Sequence, residues 1–424
     1  MPEPSKPGTP IKHPLLQLLW EQPALRSFIA IRCADEFAVQ MLTVAIGWYV
    51  YAATNSPMSL AYVGLAQFLP NVGLALVAGH VADRVDRRVV IALALLVQAV
   101  GVGALGIWTL VAAAPAAWPV YLLLLVVGTA RSFDSPAMSA LLPHLVSNED
   151  FPRAVAAVQS AFQVSSLAGP AVGGLVYAAS GTSLFAVVAG LYCFAAVQSL
   201  RLPSNSGTPD AETSEPADES VFAGIRYVRS NRLLLGLISL DLFAVLLGGV
   251  TALLPIYAKD ILAVGPTGLG WLRCAPGIGA AIVGLALAHR TIGHGAGRLM
   301  LTCVAGFGLA TVVFALSQSL WLSLLALAAA GGFDMVSMVI RHTLVQVATP
   351  DAVRGRVSAV NGVFVGASGD LGEFESGAAA ALLGTVPAAV LGGLGTLAVV
   401  GLWAWLFPEL RRADKLVTVE ADAT

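Results

Sequence analysis

Apolar stretches of about 20 residues, the length that crosses a bilayer as a helix, follow one another along almost the whole chain. Of its 424 residues, 57% are hydrophobic and 11% charged, where a soluble domain averages about 25% charged. The mean hydropathy is +0.81. A water-soluble fold of this length has too much surface to hide so much apolar area. The sequence therefore reads as an all-α, multi-pass membrane protein.

Twelve spans are expected, over residues 25–52, 59–82, 89–112, 118–141, 153–178, 183–200, 233–256, 265–288, 299–318, 320–345, 356–383 and 387–408. Most connections are short, which favours antiparallel neighbours. The long one, 201–232, begins with a polar, acidic, Pro/Ser-rich stretch over 203–220, whose composition predicts disorder. It ends with Val221–Arg229, where apolar residues at helical spacing alternate with arginines, as in a helix lying on a membrane surface. The expected organisation is a segment 1–24, six helices over 25–200, the linker, six helices over 233–408 and a tail 409–424. Residues 1–24 show no signal-peptide core. Eighteen of the 23 Lys and Arg fall on the side of the termini and the linker, and Lys259 alone falls in the opposite loops. The positive-inside rule then places both termini in the cytoplasm.

The two halves echo each other. Arg131-Ser-Phe-Asp134 recurs as Gly331-Gly-Phe-Asp334, and Arg153–Val158 recurs near Gly355–Val360. Such a parallel repeat suits two bundles rocking about a site at midplane.

Charges inside spans cost about 2.5–3.5 kcal/mol each near a helix centre, so they face a cavity or a partner. They are Arg32, Asp35 and Glu36 in the first span, Arg131 and Asp134 in the fourth, and Asp241 and Arg273 in the seventh and eighth. Asp334 and Arg341 follow in the tenth, and Asp370, Glu373 and Glu375 in the eleventh. Arg32 with Asp35 or Glu36, and Arg131 with Asp134, have the spacing of local ion pairs. Asp35 and Glu36 cannot both be cheaply ionised, which makes them the expected proton-coupling pair, with Arg32 as counter-charge. Arg131, Asp134, Asp241, Arg273, Asp334, Asp370 and Glu373 are the remaining expected cavity charges. Glycines 366, 369, 372 and 377 predict a flexible or locally unwound eleventh span. The four cysteines are isolated, and the histidines lie toward loops, whereas a transition-metal site would need imidazole or thiolate at midplane. No metal site or cofactor is expected. No phosphate-binding P-loop is present to drive ATP hydrolysis.

Two motifs carry a resemblance. The loop after the second span reads Gly79-x-x-x-Asp83-Arg84-x-x-Arg87-Arg88, and the fifth span carries Gly169-Pro170-x-x-Gly173-Gly174. The first resembles the gating loop, and the second the antiporter motif, of the major facilitator superfamily. Asp86 stands where that loop often has Gly, and Ser165 where the longer antiporter motif has an earlier Gly. The run Arg131–Gly174, with Pro136-Ala137 and Leu141-Leu142-Pro143, together with Arg226-Tyr227, is similar to the enterobactin-exporter and macrolide-efflux branch. The acid in the first span looks like the proton-coupling acid of many drug:proton antiporters.

The resemblance implies two pseudo-symmetric six-helix bundles in a bacterial-type inner membrane. It implies a monomeric, non-enzymatic efflux transporter, of multidrug type or narrower, that exchanges protons for a small organic molecule and has no nucleic-acid partner. The excess of acids favours cationic or amphiphilic cargo, while the arginines could serve an anionic siderophore. The alternatives are a lysophospholipid flippase and a divalent-cation exporter.

Overall fold

The computed structural model describes residues 22–112, 116–147, 149–203, 217–289 and 295–413. At 71–72, 75–80, 82–84, 217–223, 351–352, 359, 363 and 367 it describes the backbone alone. These residues form helices and short turns, with no strand among them.

The first six spans are α1 (Pro23–Thr54), α2 (Pro57–Arg84), α3 (Arg87–Val111), α4 (Trp118–Leu141), α5 (Phe151–Ser180) and α6 (Leu184–Leu200). The linker ends in α7 (Ala217–Ser230). Then follow α8 (Arg232–Gly248), α9 (Gly265–Ala288), α10 (Ala296–Leu316), α11 (Leu320–Ala348), α12 (Asp351–Leu383) and α13 (Thr385–Leu406), and a short α14 (Pro408–Arg412).

Local chemistry sets many ends. Proline opens α1, α2, α4, α5 and α9, where its missing N–H would be unpaired anyway. Asp86 caps α3 by accepting from Arg88 N at 3.1 Å, so this departure from the gating-loop pattern has a structural use. Asn231 caps α8 by accepting from Leu233 N and Leu234 N.

Two expectations about helix continuity are corrected. The seventh span does not run unbroken over 233–256. Gly248 ends α8, and the chain continues through a 3-10 turn at Thr251–Leu253 and a π-turn at Tyr257–Ile261. The carbonyl of Gly249 accepts from the Ser376 hydroxyl on α12, so its hydrogen bond leaves the helix. The eleventh span, in contrast, is not unwound: α12 is helical from Asp351 to Leu383. Two of its glycines serve packing, Gly372 against Leu246 and Gly377 against Ala61, while a Cβ at Gly369 would meet nothing within 4 Å.

Packing repeats between the halves. In the first, α1 packs on α5 and α6, α2 on α4, and α3 on α4 and α6. In the second, α8 packs on α12 and α13, α9 on α11, and α10 on α11 and α13. These are the same five pairs in the same order. The halves meet through α2 with α12 and α5 with α9. Large exposed apolar side chains gather on the outer helices, such as Val100 and Ile107 on α3, Phe194 and Val197 on α6, Leu309 on α10 and Trp405 on α13. Such faces suit lipid. α7 is more than a surface helix, because its Val228 is buried in the core of the second half and its Gly224 lies against α12.

By length and composition, α3, the α5–α6 run, α8 with its extension, α9, α10, α11 and α13 can each cross a membrane. α1 carries Arg32, Asp35 and Glu36 and α4 carries Arg131 and Asp134. Both helices line the interior.

Candidate functional site

Two cavities lie between the halves. The first, of about 360 Å³, is walled by α1, α2, α4, α9 and α12, with Arg131, Arg273, Asp370 and Glu373 among its lining residues. The second, of about 340 Å³, is walled by α1, α5, α9, α10 and α11 and by the 248–254 turn, with Arg273 and Asp334 as its charged residues. Arg273 is shared by both walls. Four of the expected cavity charges, Arg131, Arg273, Asp370 and Glu373, thus come together in one chamber, and Asp334 lies in the adjoining one.

The acids of the first half sit behind the cavity walls. Asp35, Glu36 and Asp134 are buried. The ion pairs expected from spacing do not close among the described residues. Arg32 instead reaches Met138 Sδ at 3.4 Å and lies over the Phe162 ring. Asp134 accepts from Gln98 Nε2 at 2.8 Å. Glu36 accepts from Gln40 Nε2 at 2.7 Å, and the same amide group lies 3.3 Å from Ser166 Oγ. Asp35, Tyr192, Asp134 and Glu36 all act electrostatically on Arg131. Asp35 Oδ1, Gln98 Oε1 and the Tyr192 hydroxyl are buried without a hydrogen-bond partner.

The network therefore reaches both chambers. Arg131 lines the first, and Gln40 with Ser166 lines the second. Sequence reasoning missed Gln98 and Tyr192. An amide in the middle of an otherwise apolar third span was the available signal.

In the second half, Asp241 on α8 and Arg341 on α11 form a buried ion pair. Neither lines either of the two cavities described, so Asp241 is not among their cavity charges. Their pairing is not legible in sequence, because 100 residues separate them.

The end of the bundle opposite the termini is closed by contacts between the halves. The Tyr51 hydroxyl donates to Asp260. Lys259 donates to Asn55 Oδ1 and sits over the Tyr51 ring. Nearby, the Gly47 backbone approaches Pro255 closely.

A sealed end, two chambers between repeated bundles and charged walls match what comparison with known proteins finds. The family model described as transmembrane secretion effector matches residues 12–422. The enterobactin exporter EntS of Escherichia coli O81 (strain ED1a) is 30% identical over 408 residues, covering 94% of this chain and 95% of that protein. EntS of Escherichia fergusonii matches with the same identity and coverage. The chain belongs to the transmembrane secretion effectors of the major facilitator superfamily. Among solved structures, the nucleoside transporter NupG superposes with a TM-score of 0.74 at 14% identity, covering 91% of this chain and 99% of that one. A bacterial homolog of the human lysosomal transporter Spinster, inward-facing and unoccupied, gives 0.69 at 13% identity, over 92% and 98%. At such identities these two likenesses speak for the fold alone. The protein is a multi-pass membrane transporter of a small molecule, not an enzyme.

The family motifs take defined places in this bundle. In the gating loop, the side chains of Gly79, Asp83 and Arg84 lie outside the described residues. Arg87 donates to the Ala140 carbonyl at the end of α4, at 3.2 Å. Arg88 pairs with Asp86 and donates to the Leu202 carbonyl beyond α6. The loop thus ties the ends of α4 and α6 together. In the antiporter motif, Gly169 and Gly173 face α1, with a Cβ at each reaching Gln40 and Met41. Gly174 faces the other half, where its Cβ would lie 3.0 Å from Gly270 Cα on α9. Pro170 lines the second cavity.

Proposed function

We propose that the protein is a proton-coupled antiporter that exports a small organic molecule by alternating access. The observation that carries this reading is the position of Arg131. It lines the main cavity while Asp35, Glu36 and Asp134, buried behind it, act on it electrostatically. A change of charge on those acids is felt at the cavity wall, and a cargo at the wall is felt by the acids. Fully buried carboxylates without full pairing are the groups most ready to exchange a proton.

Export is the direction in the name of the relatives that align over most of the chain. With the Lys- and Arg-rich side in the cytoplasm of a bacterial inner membrane, the end sealed by Tyr51, Asp260 and Lys259 is the outer one. Rocking of the halves along α2–α12 and α5–α9 then opens it.

The test uses proteoliposomes with a pH dye trapped inside and a panel of lipophilic amines, macrolides, a catecholate, a lysophospholipid and Mn²⁺. The expected result is a proton flux triggered by an organic compound and lost in Asp35→Asn, Glu36→Gln or Asp134→Asn. Uphill efflux that survives all three variants refutes the coupling assignment. Movement of lysolipid or metal with no proton flux refutes antiport of an organic cargo.

A further inference from the structure

Several charges in the membrane are partnered, whereas Arg273 and Glu373, like Asp35 and Asp334, form no hydrogen bond or ion pair among the described residues. Asp241 has Arg341, Glu36 has Gln40, and Asp134 has Gln98. Arg131 has three acids around it. Arg273 offers five N–H donors, yet no hydrogen bond to it forms among the described residues, and its Nε is buried with no partner. Glu373 lines the same chamber, and it is the acid whose charge acts on Arg273. The two do not close an ion pair among the described residues. Opposite charges held apart inside a bilayer are costly, and the fold holds both in place.

Each is fixed by a close helix contact. On α12, Glu373 Cβ lies 2.9 Å from where a Cβ on Gly64 of α2 would stand. On α9, Gly270 and Gly277 flank Arg273 by about a turn on either side and pack on Pro170 and Leu167 of α5. These are the two seams along which the halves meet. A molecule that bridges Arg273 and Glu373 therefore touches both seams at once. The chamber also has an apolar patch from Ile46, Leu60, Val63 and Leu124, beside the polar Thr43, Gln67, Ser132 and Ser135.

We infer that the main cavity takes a small zwitterionic amphiphile, with its anionic group on Arg273, its cationic group on Glu373 and its apolar part against that patch. The inference rests on the exporter reading and narrows it to a substrate class. The other charges facing the site are Asp370, one turn along α12, and Arg131 on α4. Asp370 already has a partner, and Arg131 belongs to the buried acids.

The experiment is a matched series with one tail: hexylphosphocholine (zwitterion), hexyl phosphate (anion) and hexyltrimethylammonium (cation). Binding is read as the shift in thermal unfolding midpoint of the purified full-length protein in a neutral maltoside detergent. Wild type should bind the zwitterion at least tenfold more tightly than either other compound. Glu373→Gln should move the preference to the anion, and Arg273→Gln to the cation. A purely structural pair would not produce this crossed change.

If a single variant fails to fold, the double variant Arg273→Gln with Glu373→Gln removes both charges of the pair together. It should fold and lose the preference. No zwitterion preference in wild type, or a preference unchanged in the variants, overturns the inference. The exporter reading is judged separately: proton-coupled efflux with no zwitterion preference leaves it standing, while zwitterion binding without proton exchange removes it and keeps the site.

Discussion

Replacing Gly174 by valine should shift the protein away from the arrangement closed between α5 and α9. A Cβ at Gly174 would lie 2.6 Å from the Pro266 carbonyl oxygen, 3.0 Å from Gly270 Cα and 3.1 Å from Gly270 N. All three are backbone atoms, so no side chain can rotate away, and valine adds two further carbons. Overpacking of this kind costs about 1–3 kcal/mol. The contact joins the two halves, so the cost falls on this closed arrangement and is relieved when the halves part there. A bias of that size changes the ratio of the two states by roughly 5- to 150-fold.

Single-molecule energy transfer between dyes at Thr182 and Thr385 would read the change, in a background lacking the four native cysteines. The distance should lengthen in most molecules of Gly174→Val. A Cβ at Gly190 would meet nothing within 4 Å, so Gly190→Val should leave the distribution as in wild type. An unchanged distribution in Gly174→Val, or an equal shift in both variants, would refute the view that this motif glycine is a contact between the halves.

Three further outcomes are expected. Asp241→Asn leaves Arg341 buried without its partner and should destabilise the protein by about 3–5 kcal/mol, measured as a lowered unfolding midpoint. Adding Arg341→Leu should recover most of the loss, and a double variant no better than the single would contradict the pairing. Asp260→Asn weakens the charged hydrogen bond from Tyr51, worth about 1.5–3 kcal/mol. It should raise the labelling rate of a cysteine placed at Ile46 by an impermeant thiol reagent from the outer side about tenfold or more; an unchanged rate would remove this contact from the seal. Gln98→Leu removes the hydrogen bond that Asp134 accepts and should slow cargo-driven proton flux in proteoliposomes about tenfold while leaving binding of a cargo in place. Loss of binding instead would assign Gln98 to the cavity structure.

The spans were legible in the sequence because the bilayer imposes a one-dimensional rule: about 20 apolar residues per crossing. The expected spans 118–141 and 265–288 coincide with α4 and α9. The rule fails where a tertiary partner takes over a backbone group. Ser376 captures the Gly249 carbonyl, and the seventh span stops early. On α12, which stays helical, close neighbours use Gly372 and Gly377, two of the four glycines that composition alone assigned to unwinding.

Candidate charges could also be named from sequence, since a charge inside an apolar stretch stands out. Their partners could not. Spacing along one helix paired Arg131 with Asp134 and Arg32 with Asp35 or Glu36. The bundle gives Asp134 to Gln98 on α3 and sends Arg32 toward Met138 and Phe162. It also joins Asp241 to Arg341 on another helix.

Hydropathy and charge placement thus determined, from the sequence alone, that this chain crosses the membrane many times as two similar sets of helices, and which residues carry charge inside it. Both are local properties, set by what each segment can bury in lipid and what it cannot. The tertiary structure decided which charges neutralise each other, which glycines form the seams between the halves, and that Arg273 and Glu373 face one chamber without closing an ion pair. Those depend on contacts between segments far apart in the chain.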